Sequence, residues 1–213
     1  MTLTALEASE GARGWRLLLG RLHLTVDCGG FDEALEFIER VAEIANDQNH
    51  HPDIDLRYNR VHLAVVSHDA GGLTDRDVRL AEAICVIVDE LDLKPERASL
   101  TEVEIAIDTL DAGAIRPFWA AVLGYEDDGD EVHDPQGRGP TVWFQQLSSE
   151  NPVRNRIHLD VTVAHDEAEE RIEAALAAGG RLVSDDRAPA FWILADADGN
   201  EACVCTWQGR EED

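Results

Sequence analysis

Hydrophobic and polar residues alternate early in the chain and then change to helical spacing. Over residues 15–26 apolar and polar positions alternate on either side of Gly20-Arg21, which predicts a β-hairpin that turns at those two residues. Over residues 32–46 the apolar positions recur every three or four residues, which predicts a helix with Asp32 as its N-cap. Residues 1–14 show no such regularity, and we expect a frayed or weakly helical lead there.

A further strand and a further helix follow the first helix. Val61, Leu63 and Val65 occupy alternate positions, which predicts a strand. Thr74-Asp75-Arg76-Asp77 resembles a capping box, and the apolar stripe behind it predicts a helix that runs to Leu91. The order strand, strand, helix, strand, helix predicts an antiparallel sheet with helices packed on one face.

The polar, proline-containing segment 94–99 predicts a boundary between two domains, which we place at residues 1–95 and 101–208. Beyond this boundary, a strand followed by a helix occurs twice, at an offset of 54 residues from Glu104 to His158. The two helices are expected to end at Leu123-Gly124 and Gly179-Gly180, with further strands at 141–147 and 191–195. The chain is therefore predicted to be α+β, with a second domain made of a duplicated strand-helix-strands (βαβββ) unit that curls round a cup.

The charge of the chain excludes some classes of partner. The 213 residues include 44 acidic and 18 basic side chains, which gives a formal net charge of −26. Such a surface repels phosphate backbones and anionic lipid heads, so we expect neither a nucleic acid nor a membrane as partner. No apolar run approaches the roughly 20 residues that span a bilayer, and the first residues lack the basic start of a secretory signal, so a cytoplasmic location is expected.

The four cysteines do not form a recognisable metal or redox motif. They are Cys28, Cys85, Cys203 and Cys205, and none belongs to a Cys-x-x-Cys pair. Cys203 and Cys205 share a face if they lie on a strand, where they cannot readily bridge each other. We expect reduced, partly buried thiols.

Histidines are concentrated in one short part of the chain. His50, His51, His62 and His68 place four of the eight histidines within nineteen residues. Imidazole has an unperturbed pKa near neutrality, so this segment is the first place to look for proton-transfer chemistry. Surface histidines or a metal site are the other interpretations of the cluster.

The motifs around these histidines resemble the pterin-4a-carbinolamine dehydratase family. They are His50-His51-Pro52, Tyr58-Asn59-Arg60-Val61, Ser67-His68 and Ala70-Gly71-Gly72-Leu73-Thr74, in the order and at the spacing of that family. The resemblance implies dehydration of a 4a-hydroxy-tetrahydropterin, with His50, His51 and His68 as catalytic residues and without a metal or redox cofactor. His50 and His68 would form the acid-base pair and His51 would position the pterin, although the division of roles stays open.

The resemblance also implies the surroundings of the pterin. Pro52, Ser67, Asp69 and Ala70 match positions that line the substrate pocket. Strand alternation would place His62 on the same face as His68 if no bulge intervenes, so we expect His62 as a supporting residue. Asn46 replaces an often acidic residue and Ile54 replaces an aromatic residue of the family. Relatives of this domain associate through their sheets and helices, so a homo-oligomer is expected.

The second domain resembles the glyoxalase-like branch of the vicinal oxygen chelate superfamily. The resemblance covers residues 101–208 and depends on four segments, at 111–119, 123–125, 154–160 and 196–201. Members often bind a divalent metal through one ligand from each of four strands.

The metal-ligand positions of that superfamily hold a mixed set of side chains here. Glu104 and His158 occupy the first position and its repeat equivalent, Gln145 or Gln146 the third, and Cys203 the fourth, where a glutamate is expected. This set suits neither hard nor soft metals, so we expect a metal-free cup with Glu104 and His158 as polar lining or as a hydrogen-bonded pair.

The sequence therefore favours a pterin-carbinolamine dehydratase domain fused to a glyoxalase-like domain of unknown ligand. A non-catalytic pterin-binding or dimerisation protein is the first alternative, and the retained histidines argue against it. A metal-dependent lyase or dioxygenase of the vicinal oxygen chelate type is the second, and Cys203 at a ligand position argues against it.

The net charge of −26 predicts that salt stabilises the protein. The Debye length shrinks from about 10 Å at 0.1 M to about 3 Å at 1 M salt, so added sodium chloride screens the repulsion between acidic side chains. We expect the melting temperature to rise over this range. A flat or falling melting temperature would show that this repulsion is not a significant contribution.

Overall fold

The computed structural model describes residues 1–96, 100–146, 157–195 and 201–209. Contacts divide the chain into two compact units, one formed by Met1–Leu100 with Trp207–Asp213 and the other by Thr101–Thr206. Within the described residues, no helix combines the length and the apolar character that crossing a membrane requires.

The first unit is an antiparallel sheet with helices on one face, as the sequence predicts. Its helices are α1 (Ala5–Gly11), α2 (Phe31–Gln48) and α3 (Asp75–Glu90), and its strands are β1 (Arg16–Leu18), β2 (Arg21–Asp27), β3 (Asp53–Arg57), β4 (Arg60–Val65) and β5 (Lys94–Glu96). The strand order is β1-β2-β4-β3, and β5 also pairs with β2. A 3-10 turn (His68–Ala70) separates β4 from α3.

The core of the first unit lies between the sheet and the helices. Val61, Leu63 and Val65 point from β4 into the same buried cluster as Phe37 of α2 and Leu80 of α3. Because strand side chains alternate between faces, the intervening residues of β4 point to the opposite face of the sheet. The apolar stripe of each helix and the alternate positions of each strand therefore meet in one core.

Two local boundaries differ from the sequence prediction, namely the hairpin turn and the N-cap of α2. The hairpin turns at Leu19 and Gly20, whose φ angles are 45° and 69°, and Arg21 already belongs to β2. Two positive φ values in a two-residue turn match the twist of the flanking strands. The N-cap of α2 is Gly30, and Asp32 lies in the first turn, where a carboxylate interacts favourably with the helix dipole.

Three elements were not resolved by the periodicity of the sequence. The lead contains the seven-residue helix α1, closed by a capping box of Thr4 and Glu7. The edge strand β3 is mostly exposed and charged, so it carries no clear apolar alternation. Strand β5 falls within the expected linker but pairs with residues 25–27 of β2.

Trp207, expected in the second domain, packs against the core of the first unit.

The second unit is a mixed eight-stranded sheet with two helices. Its elements are β6 (Thr101–Thr109), α4 (Ala112–Leu123), β7 (Glu126–Asp127), β8 (Glu131–His133), β9 (Val142–Gln146), β10 (Ile157–Val163), α5 (Ala168–Ala177), β11 (Arg181–Ser184), β12 (Phe191–Ala195) and β13 (Glu201–Cys205). The strand order is β11-β12-β13-β10-β6-β9-β8-β7. Strands β6 and β10 pair antiparallel at the centre, whereas β6 with β9 and β10 with β13 are parallel. Residues 147–156 and 196–200, which carry part of the predicted second-domain motifs, lie outside the described residues.

The first core predicts a large difference between two phenylalanines of α2. Phe37 is 0% exposed and Phe31 is 44% exposed. We expect Phe37→Ala to lower the free energy of unfolding by about 3–5 kcal/mol, because it removes buried apolar surface and leaves a cavity. Phe31→Ala is the matched control and should cost much less, since it loses mainly its stacking on Tyr58. Denaturant unfolding of the full chain measures both, and equal losses would contradict this description of the core.

Candidate functional site

The site is built around a buried carboxylate at the start of α3. Thr74 is the N-cap of this helix, and the Asp77 side chain completes a capping box by accepting from the Thr74 backbone N–H at 2.6 Å. Asp77 is 0% exposed. Its Oδ2 also accepts from the Ser67 hydroxyl at 2.7 Å and from the Thr74 hydroxyl at 3.1 Å. One helix cap therefore also anchors the segment that precedes the helix.

His50 is attached to the other oxygen of the same carboxylate. Helix α2 ends at Asn49, which adopts the left-handed conformation with φ 48°, and the His50 backbone N–H returns to the Ala45 carbonyl at 3.0 Å. This cap turns the His50 ring inward, where Nε2 lies 2.8 Å from Asp77 Oδ1 and the residue is 8% exposed. Because a carboxylate only accepts, His50 donates from Nε2, and Nδ1 is the atom left for another proton exchange.

His51 lies next to this buried pair but is itself exposed. Its Nε2 donates to Asn46 Oδ1 at 3.1 Å, one turn back along α2. Asn46, which replaces an often acidic residue, therefore still supplies an oxygen acceptor to the second histidine, but without a full negative charge. Pro52 follows and is half-buried. The histidine pair thus has one inward ring held by a charge and one outward ring held by an amide.

The Ser67–Ala70 region forms a turn on top of the buried carboxylate. The Ala70 N–H donates to the Ser67 carbonyl at 3.0 Å, and Ser67 forms a bridge with Gly72. His68 and Asp69 are exposed on this turn. The Ser67 hydroxyl donates to Asp77, and His68 follows Ser67 in the chain. The backbone that carries His68 is therefore held by the same carboxylate that contacts His50.

Electrostatics also connect the turn with His50. Asp69 forms an ion pair with Arg76 at 2.5 Å. This hydrogen bond with Arg76 is the main cause that lowers the pKa of Asp69, and His50 acts in the same direction when it is protonated. Through Asp77, His50 and the turn that carries Ser67, His68 and Asp69 therefore lie in one part of the first unit.

His62 belongs to a different group of residues. Its Nδ1 lies 2.9 Å from the Thr25 hydroxyl and its Nε2 lies 3.3 Å from His23 Nδ1, on the sheet face opposite the helices. Burial lowers the pKa of His62, and it lowers the pKa of His23 to about 3, so the pair is neutral near pH 7. The predicted shared face of His62 and His68 depended on alternation, but β4 ends at Val65 and His68 lies in the 3-10 turn.

Asp77 is a residue of the candidate site that the sequence alone did not indicate. It was recognised only as one half of a capping box. A carboxylate at the third helical position accepts from the N-cap backbone through one oxygen, so its second oxygen is available to a distant donor. This was the signal that could have identified Asp77 as a partner of one of the histidines.

The second unit brings three potential metal ligands together on one sheet face. Asp160 of β10 pairs with Cys203 of β13, and His158 lies two residues earlier on the same face of β10. The ligand atoms of these three residues all lie within 4.8 Å of one another. The Trp143 indole N–H donates to Asp160 Oδ2 at 3.1 Å, and His158 Nε2 lies 3.6 Å from Asp160 Oδ1.

This group differs from the set expected from the four strands. The cross-strand partner of Glu104 is Asp160 and that of His158 is Ala106, and His158 Nε2 lies 3.6 Å from Asp160 Oδ1. Gln146 donates to the Leu110 carbonyl at 2.9 Å. Burial raises the pKa of the Cys203 thiol, and the Asp160 carboxylate raises it further, so without a cation the thiol is protonated. Asp160 is thus a carboxylate of this group that the sequence pattern did not single out, and the expected pair of Glu104 and His158 stays a prediction.

Comparisons with known proteins match two parts of the chain to two different family models. A family model described as Pterin 4 alpha carbinolamine dehydratase matches residues 2–87, and one described as Glyoxalase-like domain matches residues 104–205. A protein from Acidobacterium capsulatum, provisionally named pterin-4-alpha-carbinolamine dehydratase, is 51% identical over 70 residues, which are 33% of this chain and 76% of the relative. A protein of the same provisional name from Herpetosiphon aurantiacus is 42% identical over 78 residues, covering 37% of this chain and 81% of the relative.

One solved structure is similar to the first unit. The transcriptional coactivator/pterin dehydratase from Brucella melitensis is 27% identical, with a TM-score of 0.39, and the match covers 41% of this chain and 98% of that one. The sequence relatives and the two family models show that the chain belongs to the pterin-4a-carbinolamine dehydratase family through its first unit and carries a glyoxalase-like domain in its second.

Proposed function

We propose that the first unit dehydrates a 4a-hydroxy-tetrahydropterin to the quinonoid dihydropterin by acid-base catalysis with histidines. The observation that carries the proposal is the Asp77 carboxylate, which holds the buried His50 ring and the Ser67-His68 turn at one place. Membership of the family supports the same substrate class.

The reaction requires two proton transfers and no net change of oxidation state. The hydroxyl on C4a must accept a proton to leave as water, while the lone pair of N5 forms the C4a=N5 double bond and the N5 proton is removed. Side chains with a pKa near neutrality are suited to both transfers, and each contributes typically 10²- to 10⁴-fold. The histidines can return to their starting protonation states by exchanging one proton with each other or with water.

The contacts suggest a role for each residue of the site. His50 donates from Nε2 to Asp77, so Nδ1 is the atom through which it exchanges a proton with the pterin. His68 is the second acid-base group, and His51 positions the pterin beside it. Ser67, Asp69, Ala70 and Pro52 form the lining around these rings.

We also propose that the second unit is a duplication. Its two halves have the same succession of one strand, one helix and three strands, and the strand orders β6-β9-β8-β7 and β10-β13-β12-β11 correspond to each other. A repeated unit whose two copies are related by a pseudo-twofold axis produces such equivalent strand orders on either side of a central antiparallel pair.

The first test of the dehydratase proposal removes single imidazoles. His50→Ala and His68→Ala should each lower the rate of dehydration by about 10²- to 10⁴-fold, followed by the ultraviolet absorbance of the pterin. The double variant should lose much less than the product of the two losses if the residues act as a unit. His62→Ala is the matched control and should be milder, because His62 contacts Thr25 and His23. Full activity in His68→Ala, or no dehydration by the unaltered protein above the spontaneous rate, would remove the assignment.

The second test concerns Asp77 and uses Asp75 as its control. Asp77→Asn keeps the shape, and the amide retains the most acceptor contacts when its oxygen faces the Thr74 and Ser67 donors, so that its NH2 group faces His50, which loses its acceptor. We expect the free energy of unfolding to fall by about 1–3 kcal/mol, and kcat to fall with it because His50 is no longer held as an Nε2 donor. Asp75→Asn makes the same change at an exposed position of the same helical turn and should alter neither quantity much.

Nitrogen-15 chemical shifts of the His50 ring separate a positioning role of Asp77 from a merely structural one. The unaltered protein should show the Nε2–H form, whereas Asp77→Asn should show a mixture of tautomers. Equal activities of the Asp77 and Asp75 variants would contradict the positioning role.

A further inference from the structure

We propose that the N-terminal lead, residues 1–14, positions the His50 ring through a chain of hydrogen bonds that begins at the Leu3 backbone. The proposal deepens the dehydratase function proposed above and rests on it, because it concerns the same candidate site. The sequence predicts a frayed lead, whereas the structure attaches the lead to the residues that directly precede α3.

The peptide group between Leu73 and Thr74 is held at both of its polar atoms. Its carbonyl accepts from the Leu3 N–H at 2.7 Å, and its N–H donates to Asp77 Oδ2 at 2.6 Å. The other oxygen of the Asp77 carboxylate lies 2.8 Å from His50 Nε2. The chain therefore runs from Leu3 through one peptide group and one carboxylate to His50.

Hydrogen bonds in such a chain strengthen one another. A carbonyl that accepts a hydrogen bond polarises its own peptide group, so the N–H at the other end of that group becomes a better donor. The Leu3 contact thus strengthens the hydrogen bond from Thr74 to Asp77. It also fixes the plane of the peptide group, and with it the direction in which the N–H points at the carboxylate.

The contact with the lead lies in a place with little access to water. Leu73 is 6% exposed and Thr74 is 7% exposed. The Thr2 side chain lies beside them, since a Cβ added at Gly72 would be 3.5 Å from Thr2 Cγ2. A buried carbonyl without a donor costs free energy, so the Leu3 N–H supplies a hydrogen bond that solvent does not readily replace.

The rest of the lead is anchored along α3. Gly11 approaches this helix so closely that an added Cβ would lie 2.9 Å from Val78 Cγ1. Directly after the lead, the Trp15 indole N–H donates to the Ala81 carbonyl at 3.2 Å. The lead thus follows the helix whose first turn supplies the buried carboxylate, and its first residues reach the Leu73 carbonyl as part of an ordered segment.

The experiment compares three variants of the full chain. Leu3→Pro removes the N–H donor, whereas Leu3→Ala keeps the donor and removes only the side chain, which packs against the first core. Ala5→Pro introduces a proline at the first position of α1, where the N–H has no partner within the helix. Thr4 before it is extended, with φ −68° and ψ 159°, as a following proline requires. Leu3→Pro is therefore the variant of the three that breaks the chain.

The proton chemical shift of the Thr74 amide reports on the chain independently of activity. A short hydrogen bond to a carboxylate moves this resonance downfield, so Leu3→Pro should move it upfield and speed its exchange with solvent. The nitrogen-15 shifts of the His50 ring should change in the same variant. Leu3→Ala and Ala5→Pro should leave both sets of shifts nearly unchanged.

The rate of dehydration tests the positioning role itself. Leu3→Pro should lower kcat by about 2- to 10-fold relative to Leu3→Ala, which is the range expected for the loss of one hydrogen bond. The effect on KM should be smaller, because the chain orients an acid-base group. Ala5→Pro should keep the kcat of the unaltered protein.

The outcomes separate the chain from the dehydratase assignment. An unchanged Thr74 amide shift in Leu3→Pro, or an equal change in Leu3→Ala or Ala5→Pro, would overturn the chain. An altered shift with the kcat of Leu3→Ala would overturn its positioning role. If the unaltered protein does not dehydrate the pterin, the dehydratase proposal fails, while the Thr74 and His50 shifts still decide whether the lead positions the ring.

A measurement on the unaltered protein covers the case in which Leu3→Pro does not fold. Scalar coupling across a hydrogen bond should connect the Leu3 nitrogen with the Leu73 carbonyl carbon, because the donor and the acceptor are 2.7 Å apart. The absence of this coupling, or rapid solvent exchange of the Leu3 amide, would be enough to reject the proposal.

Discussion

The first unit depends on how the Asp77 carboxylate is satisfied within the core. A buried carboxylate costs free energy unless donors replace the water that it loses. Here the donors come from three separate parts of the chain, namely the helix cap at Thr74, the end of β4 at Ser67 and the end of α2 at His50. Folding must therefore bring these segments together before the charge is compensated, and the same contacts place the imidazoles of the candidate site. The stability of the first unit and the proposed chemistry therefore both depend on Asp77.

This dependence explains the different character of the three histidines. His50 is buried and held by a charge, His51 is exposed and held by the Asn46 amide, and His68 is carried on a turn whose base is the Ser67 hydroxyl. One rigid ring beside two accessible rings suits a site that must both hold a proton in a defined position and admit a substrate from solvent.

Local patterns of the sequence predicted the elements that depend on neighbouring residues. The capping box of Thr74 and Asp77, the apolar stripes of α2 and α3, and the alternation of β4 all act within a few positions, so they could be identified directly. The charged edge strand β3 could not, because its ladder with β4 stabilises it without an apolar face. His50 and Asp77 are 27 residues apart, so their hydrogen bond is a tertiary contact that no periodicity encodes. Asp160 shares a strand face with His158, but the superfamily pattern assigns no ligand to its position, so the sequence did not single it out.

The neutral His23–His62 pair has a consequence for the acid side of any pH–activity profile. Burial sets the pKa of folded His23 at about 3, below its ordinary value of 6.5. On acidification the unfolded chain therefore takes up this proton first, so folding loses free energy progressively as the pH falls from about 6.5 toward about 3. Part of an activity loss in that window would then report a shrinking population of folded protein. Only rates corrected for that population describe the chemistry of the candidate site itself.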